Sequence, residues 1–428
     1  MWKRALSSLL GVAVILGAFV TMGQILPKQE PIEVETVGDM PSDDKGPGSP
    51  FSVEAKGAIL IDAETGEVLF QQDAHKELPL ASVTKVMTML LVMEAVDDGK
   101  ITLEDEITIS ERAAQMGGSQ MYMEPGETHT VTELMKGVAM ASANDGCVAL
   151  SEHVAGSEEI FVERMNAKAQ DLGMRDTHFV NTNGLPAEGH YSSAYDIAVM
   201  SMELYKYEET HKWFTTWQDT ITIGLPGKEK EFGLTNTNKL VKHYPGCNGI
   251  KTGFTSDAGY CLSASATRDN THFVAVALGC TTSAIRNQQI CKMFDYGFAN
   301  FQSQIVAEEG QVMAQIDVKR GTPQKIDILS SQKISVLVPK GKTDSVKWEM
   351  KIEKEINLPL KMGDPVGTIN VIKDGQKVGT YELIAATDVK KASFKELLKR
   401  MLSGGEEKEY GKPAEEKEYD EPAEEKNQ

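Results

Sequence analysis

Three short segments of this chain carry side chains that together could perform nucleophilic acyl transfer. The first is Ser82-Val83-Thr84-Lys85. A serine hydroxyl is a weak nucleophile at its own pKa and needs a base held against it. Residues three apart share one face of a helix, so Lys85 can offer that base to Ser82. The amine must be neutral to accept a proton. The near-continuous apolar run Val83 to Val96 predicts a helix buried on all sides, where desolvation lowers a lysine pKa. At the start of that helix the Ser82 N–H would face an incoming carbonyl, as half of an oxyanion hole.

The second segment is Ser142-Ala143-Asn144, where the apolar stretch Met135–Ala141 breaks into polar residues ahead of Asp145-Gly146. Its hydroxyl and amide can relay a proton and hold a substrate amide. Read alone, the same trio is a helix cap or an Asx turn. The third is Lys251-Thr252-Gly253. A cation, a hydroxyl and a residue without Cβ in succession make a strand that binds a carboxylate and admits another backbone closely. An extended peptide can add to such a strand. No single segment is decisive: Ser-x-x-Lys also occurs at Ser42/Lys45 and Ser330/Lys333, both expected to be surface residues.

The elements that must position these groups follow from apolar periodicity. Gly57–Ile61 and Val68–Phe70 read as two strands joined by a turn at Glu64-Thr65-Gly66. Helical spacing covers Val131–Leu150, Glu158–Gln170 and Ala194–Tyr207. Extended segments return at Gly249–Thr252, Gly259–Ala266 and Phe273–Leu278. A strand pair, then helices, then strands predicts an α+β domain over residues 51–305, an antiparallel sheet with helical cover.

Residues 306–388 have a different texture. Val346–Glu353 alternates strictly, and Asp374-Gly375 sits between two β-like runs as a hairpin turn, which predicts a small all-β domain. In 389–403, Phe394, Leu397, Leu398, Met401 and Leu402 fall on one helix face beside Lys390, Lys391, Lys395, Lys399 and Arg400. The pattern is that of an amphipathic helix, either laid on a membrane surface or packed on the β-domain; the basic flanks favour the membrane. Residues 404–428 repeat Glu-Glu-Lys-Glu-Tyr and Pro-Ala-Glu-Glu-Lys and are expected to be a disordered acidic tail.

At the other end, Lys3-Arg4 precedes a stretch without charge from Ala5 to Pro27, so residues 1–27 read as an export signal or an uncleaved membrane anchor. Residues 28–50, rich in Pro, Gly, Asp and Glu, read as a disordered linker. A chain of 428 residues, 41% hydrophobic, has material for two domains. With 63 acidic against 44 basic residues, the net charge of −19 argues against nucleic acid as a partner. The five cysteines, Cys147, Cys247, Cys261, Cys280 and Cys291, include no C-x-x-C pair and indicate no metal site. They read mostly as small buried apolar groups, with one oxidised pair among the last four left open.

Taken in order, Ser-x-x-Lys, Ser-x-Asn and Lys-Thr-Gly resemble the motif set of serine β-lactamases and penicillin-binding proteins. Ala81-Ser82-Val83-Thr84-Lys85, Asn183-Gly184-Leu185, Gly189 to Ala194 and Gly249 to Thr255 are further similar to low-molecular-mass D-alanyl-D-alanine carboxypeptidases, across roughly residues 51–400. The resemblance implies a β-lactamase/transpeptidase-like domain followed by a β-rich one, with no cofactor or metal. It implies an exported bacterial enzyme that removes the terminal D-alanine from peptidoglycan muropeptides and is acylated by β-lactams. Carried over, Ser82 is the nucleophile, Lys85 the proton acceptor, and Ser142 and Asn144 the second-motif groups. Lys251 and Thr252 bind the terminal carboxylate, Gly253 belongs to the same motif, and the N–H groups of Ser82 and Phe254 form the oxyanion hole. Arg286 aligns with an arginine that helps hold the carboxylate; a surface helix position is its other reading. Where the family loop carries Asp, this chain reads Pro186-Ala187-Glu188, so Glu188 is the substitute on offer.

Two other functions share this resemblance. A class A-like β-lactamase deacylates through Glu-x-x-Leu-Asn, which is absent between Asn144 and Lys251. An inactive cell-wall scaffold of the same fold would have no use for intact Ser82, Lys85, Asn144 and Lys251.

Overall fold

The structure is a computed structural model that describes residues 51–342, 345–353 and 356–402. The expected export segment, linker and acidic tail lie outside the described residues. The chain enters a hairpin of β1 (Gly57–Asp62) and β2 (Val68–Gln72), turns through a short 3₁₀ segment at Ala81–Thr84, and runs into α1 (Lys85–Asp97). A helical region follows: β3 (Glu106–Thr108), α2 (Glu111–Ala114), β4 (Thr128–Thr130), α3 (Val131–Lys136), α4 (Asn144–Ala155), α5 (Glu158–Asp171), α6 (Ala194–Tyr205) and α7 (Glu208–Thr215). A second hairpin, β5 (Gln218–Ile223) with β6 (Lys230–Thr235), leads through α8 (Leu240–His243) to β7 (Cys247–Thr255), β8 (Gly259–Arg268), β9 (Thr271–Cys280) and α9 (Ser283–Asn300).

The main sheet is antiparallel with strand order β2-β1-β9-β8-β7. Alternation along its strands separates two cores. Ile59, Ile61, Val274 and Val276 face α1, α4 and α6, whereas Ala58, Leu60, Leu262 and Phe273 face α9. α1 is enclosed as expected: Val86, Met87, Met89, Leu90 and Val92 have no exposed surface. The helix expected over Val131–Leu150 is instead interrupted. After α3 the chain widens into a π-helical turn at Gly137–Ala141, Ser142 adopts a left-handed conformation (φ 64°), and α4 begins at Asn144. Interruptions of this kind recur at functional sites.

Beyond α9 all but one of the elements are strands: β10 (Phe301–Ala307), β11 (Val312–Asp317), β12 (Gly321–Thr322), β13 (Lys325–Ser330), β14 (Ile334–Pro339), β15 (Val346–Ile352), β16 (Pro365–Lys373), β17 (Gln376–Ala385) and β18 (Lys390–Lys391). Their sheets, of order β11-β13-β17-β16-β15, β10-β14 and β12-β18, enclose a separate core around Ile328, Val338, Ile369 and Leu383. Asp374 and Gly375 both have positive φ, as the two-residue turn between β16 and β17 requires. The last element, α10 (Phe394–Leu402), is shorter than the helix expected over 389–403. Val389 is buried and Lys390–Lys391 pair with β12, and a Ser393–Glu396 capping box sets the helix start. Ser330, expected at the surface, is fully buried, with its hydroxyl donated to the Gln332 carbonyl. All five cysteines are free, four of them buried.

Candidate active site

β7 is an edge strand, and the 3₁₀ turn that carries Ser82 lies against it. The contact is close enough to require Gly253. A Cβ there would sit 2.8 Å from the Leu80 carbonyl oxygen and 3.1 Å from the Ser82 nitrogen. Ala81, just before Ser82, is held at φ 48°, a conformation an alanine adopts only under constraint. The constraint is visible. The Ala81 carbonyl accepts from Thr84 Oγ1 (2.8 Å), which lies 2.8 Å from His190 Nε2. His190 Nδ1 accepts from the Val180 N–H (2.9 Å), so its proton is on Nε2 and is donated to Thr84. Burial pushes His190 down to about 4, which keeps it neutral. From the other side Gly184, at φ 84°, packs so tightly on the Ala81 carbonyl that no side chain fits.

Lys85 is fully buried on the first turn of α1. Its Nζ is 3.0 Å from Ser82 Oγ, 2.7 Å from Asn144 Oδ1 and 2.6 Å from the Asn183 carbonyl oxygen. A neutral amine has two N–H donors and one lone pair. With Asn144 and Asn183 taking the donors, the lone pair is left for the Ser82 hydroxyl. Burial brings Lys85 down to about 8 against the opposing pull of Cys147 and Asp145, so about a fifth is neutral near physiological pH, far more than for an ordinary lysine.

Asn144 and Asp145 together fix the segment that walls the site. Asn144 Nδ2 donates to the Gly117 carbonyl (2.6 Å) and its N–H to the Ser119 carbonyl (2.7 Å). The buried Asp145 carboxylate accepts the N–H groups of Met121, Tyr122 and Gly146. Ser142 Oγ is buried at the same place and makes no hydrogen bond among the described residues.

On β7, Lys251 is fully buried, and its Nζ donates to the Thr252 carbonyl (3.0 Å). Burial, then the neighbouring Lys85, holds its amine well below the usual lysine range. Thr252 donates to Thr237 Oγ1 (2.7 Å). Phe254 is 53% exposed and its ring lies on Tyr260, 4.3 Å between centroids. Arg286 is not a surface residue. It sits 5% exposed on α9, donates to Asn287 Oδ1 and the Cys261 carbonyl, and adds its charge to that of Lys251. Arg286, which has no ion-pair partner among the described residues, together with the enclosed amines of Lys251 and Lys85, makes a site that favours an anion.

The site sets a serine against a buried amine beside an edge strand, and the chain that builds it and the β-domain after it are matched by two family models. Residues 43–282 match the D-alanyl-D-alanine carboxypeptidase model of peptidase family S11, and residues 301–391 match the C-terminal domain of penicillin-binding protein 5. The chain belongs to the S11 carboxypeptidase family. It is 45% identical over 355 residues to D-alanyl-D-alanine carboxypeptidase DacF of Bacillus subtilis, covering 83% of this chain and 90% of that protein. It is 33% identical over 356 residues to DacC of Escherichia coli, covering 80% and 86%. The solved penicillin-binding protein 5 of Haemophilus influenzae superposes with a TM-score of 0.64 at 30% identity, covering 80% of this chain and 99% of that one.

Within this S11 carboxypeptidase several groups at the site escape sequence reasoning. The Asn183 main-chain carbonyl has no side-chain signature. Thr237 is flanked by the buried Asn236 and Asn238, a polar trio that is a faint signal. Asp145, His190 and Thr84 act through backbone groups. Glu188, the acid offered for the family's Asp, is exposed and makes no hydrogen bond among the described residues.

Proposed function

We propose that Ser82 attacks the peptide carbonyl between two terminal D-alanines of a peptidoglycan stem peptide. The observation that carries this is the Lys85 Nζ, 3.0 Å from Ser82 Oγ and also in contact with Asn144 Oδ1 and the Asn183 carbonyl; once neutral, the amine spends its two N–H groups on those oxygens and turns its lone pair to Ser82. Lys85 takes the hydroxyl proton as the C–O bond forms. The N–H groups of Ser82 and Phe254 receive the developing oxyanion. The scissile C–N bond then breaks, and the proton returns from Lys85 to the leaving D-alanine nitrogen, with the Ser142 hydroxyl, which has no hydrogen-bond partner among the described residues, free to relay it. Water hydrolyses the remaining ester on Ser82 and restores the hydroxyl. On binding, the Thr252 hydroxyl turns its proton from Thr237 to the terminal carboxylate, within the field of Lys251 and Arg286. Asn144 holds the amide of the preceding residue. β-Lactams, with a strained amide and a carboxylate, acylate the same serine. The enzyme works on the outer face of the bacterial cytoplasmic membrane, with its terminal segments on the membrane surface.

Labelled penicillin tests this reading. The label is expected on the peptide containing Ser82 and absent from Ser82→Ala; equal labelling of both proteins would refute it.

A further inference from the structure

Beside the loop whose Asn183 carbonyl holds Lys85 lies a cleft of about 670 Å³. One wall is the segment Glu111–Met116, and the other is the loop Asn181–Leu185. The walls are tied by the Arg112–Glu158 ion pair, and Glu158 also accepts from the Thr182 hydroxyl (2.9 Å). Arg112 reaches Glu159 as well, so its charge is matched within the protein.

Besides the neutral and exposed Gln115 amide, two polar groups of the cleft have no partner among the described residues. Asn183 is 1% exposed; its Oδ1 accepts from the Leu185 N–H, while its Nδ2 donates to nothing among the described residues. The Glu111 side chain is exposed, and its carboxylate has no ion pair or hydrogen bond among the described residues. Between them lie the aliphatic surfaces of Met116 and Leu185.

An extended peptide with its carboxylate at Thr252 and its scissile carbonyl at Ser82 carries its earlier residues away from Thr252, at roughly 3.3 Å per residue. Asn183, already against Lys85, is where the cleft meets that path. A buried amide donor asks for a carbonyl, the aliphatic walls for methylenes, and the unpaired Glu111 for a cation. An anionic side chain would meet Glu111 and the Glu158 carboxylate instead.

We infer that this cleft binds the side chain of a diamino-acid residue preceding the terminal D-alanyl-D-alanine, with its free ammonium at Glu111. The inference rests on the carboxypeptidase reading above and adds a substrate preference to it: the enzyme favours stem peptides whose side-chain amine is unmodified.

The test compares D-alanine release from Nα-acetyl-L-lysyl-D-Ala-D-Ala and from its Nα,Nε-diacetyl analogue, using the full chain. The free-amine peptide is expected to have the higher kcat/KM by about 2- to 5-fold, an advantage that shrinks with added salt, as for exposed charge pairs. Glu111→Gln should bring the ratio to about 1 and leave the diacetyl peptide's rate unchanged, and Glu111→Lys should invert it. An equal rate on both peptides, or a preference that survives in Glu111→Gln, would overturn the inference while leaving the carboxypeptidase reading intact. Release from neither peptide would overturn both.

Discussion

At Lys85 two demands on one amine are met by burial. It must be close enough to Ser82 to take a proton and must be neutral when it does so. Desolvation depresses its pKa to about 8, so the competent fraction rises with pH through that value. The rate constant for acylation by penicillin should therefore fall about tenfold for each pH unit well below 8 and level off above it. A stopped-flow or quench series from pH 6 to 9 measures this directly. A flat profile would mean that Lys85 is not the group that accepts the proton. The decisive neighbour is the Asn183 carbonyl, because it uses the second donor and so orients the lone pair.

Among the elements, the 3₁₀ turn and α10 carry opposite lessons. The turn is strained at Ala81 and is held by contacts from residues about a hundred positions away, Gly184 and His190, so its shape belongs to the assembly of the domain. α10 is set by local signals, and three of its apolar residues are uncovered among the described residues: Phe394 is 79% exposed, Met401 72% and Leu398 41%. Arg400 fastens the other side of the helix to Gly321 and Thr322. An apolar stripe facing outward beside lysines fits a lipid surface better than packing on the β-domain. With residues 1–27 removed, the chain should bind vesicles containing anionic lipid and be released by salt. Phe394→Ser/Met401→Ser should remain in the supernatant, and equal sedimentation would reject the anchor. Truncation belongs at Phe394 rather than at Val389, whose side chain is part of the β-domain core.

The whole molecule balances buried titratable groups of opposite effect. Burial pushes Asp62 and Asp196 up to about 6 from 3.8, and pushes His190 and His272 down to about 4 from 6.5. Between pH 4 and 6 the folded state keeps two protons on these carboxyls, while the unfolded state keeps two on the histidines. Stability rises with pH where the unfolded state binds more protons, so these four groups cancel. Asp62→Asn removes one carboxyl and leaves the histidines in excess. Its stability should fall by about 1.4 kcal/mol per pH unit relative to wild type as pH drops from 6 to 4. Paired Tm measurements read this out, and parallel curves for the two proteins would contradict it.

The sequence by itself determined the order and type of the reactive residues and most of the elements beneath them. β-Strands and α1 have periods and apolar runs that are local, and the turn at Asp374-Gly375 is written in two residues. The Ser393–Glu396 capping box was equally local, and would have placed the start of α10. Only the tertiary structure decided which Ser-x-x-Lys faces an edge strand: Ser330 is buried with a carbonyl partner, and Lys333 lies 3.7 Å from Glu64. It also decided that Arg286 turns inward, that Thr237 backs Thr252, and that a main-chain carbonyl at Asn183 holds Lys85. Those contacts join residues far apart in the chain, and one of them uses an atom that every residue possesses. Side-chain type and spacing cannot encode which carbonyl arrives; the packing of two loops against one helix does.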